Sequence, residues 1–154
     1  MIARLRANPR PLVFAGIAVA LIIAFVVVVA PLFNTSGVSS AELAGLLPTH
    51  ATLHHELEID LDIDNTGVSA ITPVCVTAAI RGGLSAQYGI FQGVDRESFA
   101  GGRMCGGTLS GQESISIRLF FSPTAPGSAH LTLAPAAGRQ QVGPAVSTVI
   151  QVAA

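Results

Sequence analysis

The chain has 154 residues, half of them hydrophobic and 11% charged, with a formal net charge of −1 at pH 7. Its eight basic residues are all arginine, and they form no stripe able to displace counterions from phosphates, which excludes a nucleic-acid partner. With no tryptophan and one tyrosine, Tyr88, platforms for stacking on bases or sugars are thin.

Residues 1–11 form a basic tail carrying Arg4, Arg6 and Arg10. Residues 12–33, LVFAGIAVALIIAFVVVVAPLF, hold no charged side chain. As a helix this segment reaches about 33 Å, enough to cross the hydrocarbon core of a bilayer. The next basic side chain is Arg81, so the arginine asymmetry places the N-terminus in the cytoplasm and the rest across the membrane. Pro11 suits the first helical turn, and Pro31 marks where the helix kinks or stops. A cleaved signal peptide is the rival reading, but the apolar run is too long for one. Pro31 would also directly follow a cut after Val28-Val29-Ala30, so a retained anchor is expected. Gly16, Ala20 and Ala24 recur every four residues, a stripe that lets a second helix approach closely. The span has no His, Asp, Glu, Arg or Lys, and hence no proton relay, ion site or ligand for a haem or chlorophyll metal.

Residues 34–51 read as a Ser/Gly linker, with one helical turn over Ser40-Ala-Glu-Leu-Ala-Gly. Residues 52–154 are enough for one domain with its own core. There the period becomes two. Leu53, His55, Leu57, Ile59, Leu61 and Ile63 alternate with His54, Glu56, Glu58, Asp60, Asp62 and Asp64, predicting a strand with one apolar and one acidic face. Asn65-Thr66-Gly67 supplies turn chemistry. Further strands are predicted over 71–80, 84–94, 114–121, 130–134 and 145–152, separated by Gly- and Pro-rich connections. Residues 95–111, DRESFAGGRMCGGTLSG, read as a glycine-rich loop with few apolar anchors. Such spacing describes an all-β antiparallel sandwich.

Cys75 and Cys105, the only cysteines, both lie beyond the span. In an oxidising compartment a single pair points to one disulfide, which would tie the glycine-rich loop to a core strand. The alternative is a thiol pair for redox or metal work, but the spacing is neither C-x-x-C nor a zinc pattern.

Asp64-Asn65-Thr66-Gly67 after a strand, Leu109-Ser110-Gly111-Gln112 opening another, and Ala125-Pro126-Gly127 before a third resemble bacterial immunoglobulin-like extracytoplasmic domains. The resemblance covers residues 52–152 and rests on turn signatures, so it implies a fold and no activity. The Cys pair and central Trp of antibody domains are not reproduced.

Carboxylates spaced by two on a strand stand about 6.5–7 Å apart, too far to wrap one calcium ion. The acidic run therefore reads as a solvated face that guards a sheet edge or meets a basic partner. His50, His54, His55 and His130 with Met104 and Cys105 raise a copper or zinc site, yet no histidine follows Cys105 in its own loop. No nucleophile elbow, phosphate loop, dinucleotide fingerprint or H-E-x-x-H is present. The expectation is a non-enzymatic chain with no cofactor and no metal.

The function expected is that of a single-span accessory subunit in the bacterial inner membrane, with its C-terminal domain periplasmic. Its partners would be the lipid bilayer and other integral membrane subunits. The architecture is similar to small subunits of photosynthetic reaction-centre/light-harvesting or respiratory complexes. The alternative is a free-standing, membrane-anchored periplasmic binding module that presents residues 95–111.

Overall fold

The computed structural model describes residues 39–92 and 96–154. The basic tail with Arg4, Arg6 and Arg10, the apolar span and its Gly16, Ala20 and Ala24 lie outside the described residues. Among the described residues no helix is long and apolar enough to cross a membrane.

Eleven strands follow in order: β1 (Ala41–Ala44), β2 (His50–Thr52), β3 (Leu57–Asn65), β4 (Val74–Arg81), β5 (Leu84–Phe91), β6 (Glu97–Ser98), β7 (Arg103–Cys105), β8 (Ser114–Pro123), β9 (Gly127–Ala137), β10 (Gln140–Gln141) and β11 (Val146–Ala153). One sheet has the order β1-β3-β8-β5-β6 and the other β2-β11-β9-β4-β7, with β10 paired to β9. All pairs are antiparallel except β2 with β11. The first sheet thus reproduces the A-B-E-D order, and β9, β4 and β11 stand as F, C and G, the arrangement of an immunoglobulin-like sandwich.

The predicted alternation places the core. Ile59, Leu61 and Ile63 of β3 are buried against Ile117, Leu119 and Phe121 of β8 and against Leu131, Leu133 and Ile150 of the opposite sheet. The strand is shorter at its start than the pattern predicts. His54 takes a left-handed φ of 61°, and the amide of His55 donates to the Thr52 carbonyl, so residues 53–56 form a turn.

Two further expectations are corrected. Residues 41–44 are a strand, not a helical turn, and the part of the expected 34–51 linker from Ala41 onward belongs to the sandwich, because β1 pairs with β3 and β2 with β11. Ala-Glu-Leu-Ala favours a helix locally, but pairing with β3 and burial of Ala41 outweigh a propensity of a few tenths of a kcal/mol per residue. Residues 96–111 of the expected loop are also better anchored than the composition suggests. Met104 and Leu109 are buried and Phe99 packs against the core. A Cβ on Gly89 would meet the Met104 sulfur, and one on Gly106 would meet the Phe91 ring, so these glycines admit the segment into the core.

Asn65 is the one buried polar side chain among the described residues. Its Nδ2 donates to the carbonyls of Ser69 (2.8 Å), Leu109 (3.2 Å) and Ser110 (2.8 Å), and its Oδ1 accepts from the Gly67 amide at 3.0 Å. It fastens the end of β3 to its own turn and to the segment before β8. Asn65→Leu keeps the branched shape but removes every one of these bonds and leaves the Ser69 carbonyl without its donor, and should cost about 2 kcal/mol. A fall in the urea midpoint with an unchanged denaturant slope would register it; an unchanged midpoint would show that the clamp contributes nothing.

Candidate functional site

The outer face of the first sheet gathers a row of carboxylates around one arginine. Glu58, Asp60, Asp62 and Asp64 project from β3 on the side away from the core, because Ile59, Leu61 and Ile63 occupy the other side. Their neighbours on β8 are fixed by register: Glu58 lies opposite Phe120, Asp60 opposite Arg118, Asp62 opposite Ser116 and Asp64 opposite Ser114.

Arg118 is the electrostatic centre of the face. Its Nε lies 2.7 Å from Glu58 Oε1 and 3.0 Å from Asp60 Oδ1. The hydrogen bond to Asp60, with the added charges of Glu58 and Asp60, raises the guanidinium pKa above its already high value. The side chain is 54% exposed, so solvent screens the pairs and they add little to stability. Ser116 Oγ donates to Asp62 Oδ1 at 2.6 Å.

Beside this ionic cluster stands an aromatic one. Phe120 faces outward yet is only 7% exposed, because Tyr88 stacks on it with ring centroids 4.4 Å apart and planes inclined by 18°. The Arg96 guanidinium lies 3.3 Å from the Tyr88 ring centroid, and the Tyr88 hydroxyl donates to Glu56 Oε2 at 3.2 Å. A break in register between Ala86 and Tyr88 makes the stack possible. Leu84 and Ala86 face the core. Strict alternation would send Tyr88 inward as well, but the extra residue, Gln87, reverses the phase, so Tyr88 and Ile90 face out while Phe91 stays in. Nothing in LSAQYGIF marks that bulge, and the aromatic pair was therefore hidden from the sequence.

A groove of about 520 Å³ crosses this face, bordered by Ala44 and Gly45 of the β1 end, Asp60 and Asp62, Ser116 and Arg118, and reaching Ile90 and Gln92.

The other predicted residues lie elsewhere. Cys75 and Cys105 face one another in register on β4 and β7 and form a disulfide, with Cα atoms 4.0 Å apart. It links adjacent strands of one sheet and does not cross between sheets as the antibody bridge does. His50 lies on β2, His54 and His55 in the following turn, and His130 on β9 opposite Arg81 and Val149. Among the described residues no three His, Cys, Asp or Glu side chains are grouped to hold a metal ion.

No family model and no curated protein matches the chain. Among solved structures it is similar to AvmM, which catalyses macrocyclization in alchivemycin A biosynthesis, at 12% identity and a TM-score of 0.54 over 77% of this chain and 90% of that one. It is also similar to the CARDB domain of PF1109 from Pyrococcus furiosus, at 14% identity and a TM-score of 0.49 over 75% and 94% of the two chains. At such identity the first likeness shows a common fold and carries no activity across.

The two clusters should respond differently to truncation. Tyr88→Ala uncovers Phe120 and should cost about 2 kcal/mol, whereas Arg118→Met should leave the unfolding midpoint essentially unchanged. Urea unfolding of both variants checks this; equal losses would mean that the ion pairs, and not the stacked rings, hold the face in shape.

Proposed function

We propose that this chain is a non-catalytic, single-span accessory subunit of a bacterial membrane protein complex, docking by its helix and bracing the periplasmic face with the sandwich. The observation that carries the reading is the uncharged run over 12–33 directly after Arg4, Arg6 and Arg10. Gly16, Ala20 and Ala24 supply the close-approach stripe for a neighbouring helix. The sandwich supports the same reading in a different way. Its ionisable side chains are laid out along an open sheet face with a shallow groove, a form suited to contact with another macromolecule more than to enclosing a small substrate. The disulfide suits an oxidising compartment outside the cytoplasm.

The alternative, a free-standing module that binds through residues 95–111, draws less support. Met104 and Leu109 are committed to the core and Cys105 to the disulfide, which leaves short exposed stretches at residues 96–98, 100–102 and 107–108, interrupted by these anchored residues.

Membranes solubilised in mild detergent and separated by native size give the test. The chain should migrate in one discrete particle far larger than its own 15.7 kDa, in fixed ratio to its companions. Migration at its own mass plus detergent would sink the subunit reading.

A further inference from the structure

Strand β1 covers only part of β3. Their pairing runs from Ala41 opposite Asn65 to Ala44 opposite Asp62 and stops there. At Gly45, with φ at 139°, the chain leaves the first sheet, and it joins the other as β2. A side chain at Gly45 would meet Leu61 and the Asp60 carbonyl, so the departure is as close to β3 as a backbone permits.

The consequence is an unpaired edge. The Thr66 amide donates to the Ser40 carbonyl at 2.9 Å, which sets the phase of the ladder. By that alternation the N–H and C=O groups of Asp64 and Asp62 face β1. Those of Asp60 and Glu58 face the same side, where Gly45 still borders the Asp60 carbonyl but no strand pairs. Among the described residues no other strand pairs with this side of β3, whose remaining partner is β8. The groove borders the same edge through Ala44, Gly45 and Asp60, and Leu46, 92% exposed, stands just beyond it.

From this geometry we infer that the open edge of β3 at Glu58–Asp60 receives an extended, basic segment of a partner protein as an added strand. Backbone hydrogen bonding supplies the attachment, and alternate arginine or lysine side chains of the guest lie beside Glu58 and Asp60. Charge selects the occupant. A second copy of β3 would place carboxylates against carboxylates, which like-charge repulsion disfavours. Arg118 neutralises part of Glu58 and Asp60 but leaves the strand face acidic, since Asp62 and Asp64 have no cationic partner among the described residues. A guest strand would continue the sheet where β1 gives it up, next to an apolar side chain, Leu46, that no core residue covers.

The inference rests on the reading of the sandwich as an interaction module, but the two can fail separately, because a peptide probes the edge whether or not the chain travels in a large particle. The probe is a labelled peptide alternating arginine and valine, titrated by fluorescence anisotropy into the full chain in detergent at low salt. It should bind, and the same peptide with glutamate for arginine should not. N-methylation of one alternate set of peptide amides should abolish binding while methylation of the other set leaves it intact, because only one set faces β3. Asp60→Lys should weaken binding at least about tenfold, whereas Glu97→Lys, on β6 at the far edge of the sheet, should leave it unchanged. Hydrogen exchange at the Glu58 and Asp60 amides should slow when the peptide is bound. No binding of the arginine peptide would overturn the inference. So would binding that is indifferent to methylation of either set, since that is attraction to an acidic surface without strand addition.

Discussion

Strand β3 is the constraint on which the rest depends. It carries branched aliphatic side chains on one face and carboxylates on the other, in strict alternation, so a slip of one residue against β8 would drive Glu58, Asp60 and Asp62 into the core. Burying an unpaired carboxylate costs several kcal/mol, so the slipped register is closed to this sequence. With β3 fixed, β8 must present Ile117, Leu119 and Phe121 inward and Ser116, Arg118 and Phe120 outward. The acidic face and the core are two sides of one pattern.

Two local devices adapt the remaining chain to that frame. The bulge at Gln87 reverses the facing of β5, bringing Tyr88 over Phe120 and setting Gly89 beneath the sulfur of Met104. The disulfide then holds β7, the strand that carries Met104, against β4. The glycines of this region therefore serve close packing at Gly89 and Gly106, where a side chain would collide with Met104 or Phe91. Asn65 completes the closure by donating to three carbonyls, tying the end of β3 to its own turn at Ser69 and to Leu109 and Ser110 before β8.

Where two-residue periodicity was strong, the fold was legible in the sequence: β3, β8 and β11 lie within a few residues of their predicted spans. It was least legible where long-range pairing decided the outcome. Ala41–Ala44 has helix-favouring residues and is a strand because β3 offers it an edge. Asn65 reads as a turn residue, and its burial depends on carbonyls more than forty positions away. The acidic row was visible as a face, but its pairing with Arg118, the stacked rings beside it and the half-covered edge all follow from register, which alternation within one strand does not reveal. The same limit explains the histidines: adjacency in sequence did not become a shared site, since the turn at His54 separates them from β3.

The anchor expected from the sequence and the cystine of the sandwich are linked by compartment. Export across the membrane is what would expose Cys75 and Cys105 to oxidation. The most direct measurement is alkylation of whole cells with a mass-tagged thiol reagent after acid quenching, with and without prior reduction. The account predicts that both cysteines of the full chain react only after reduction, and that deleting residues 12–33 leaves them free to react at once. Freely reactive thiols in the full chain would contradict it, because the sandwich would then reside in a reducing compartment.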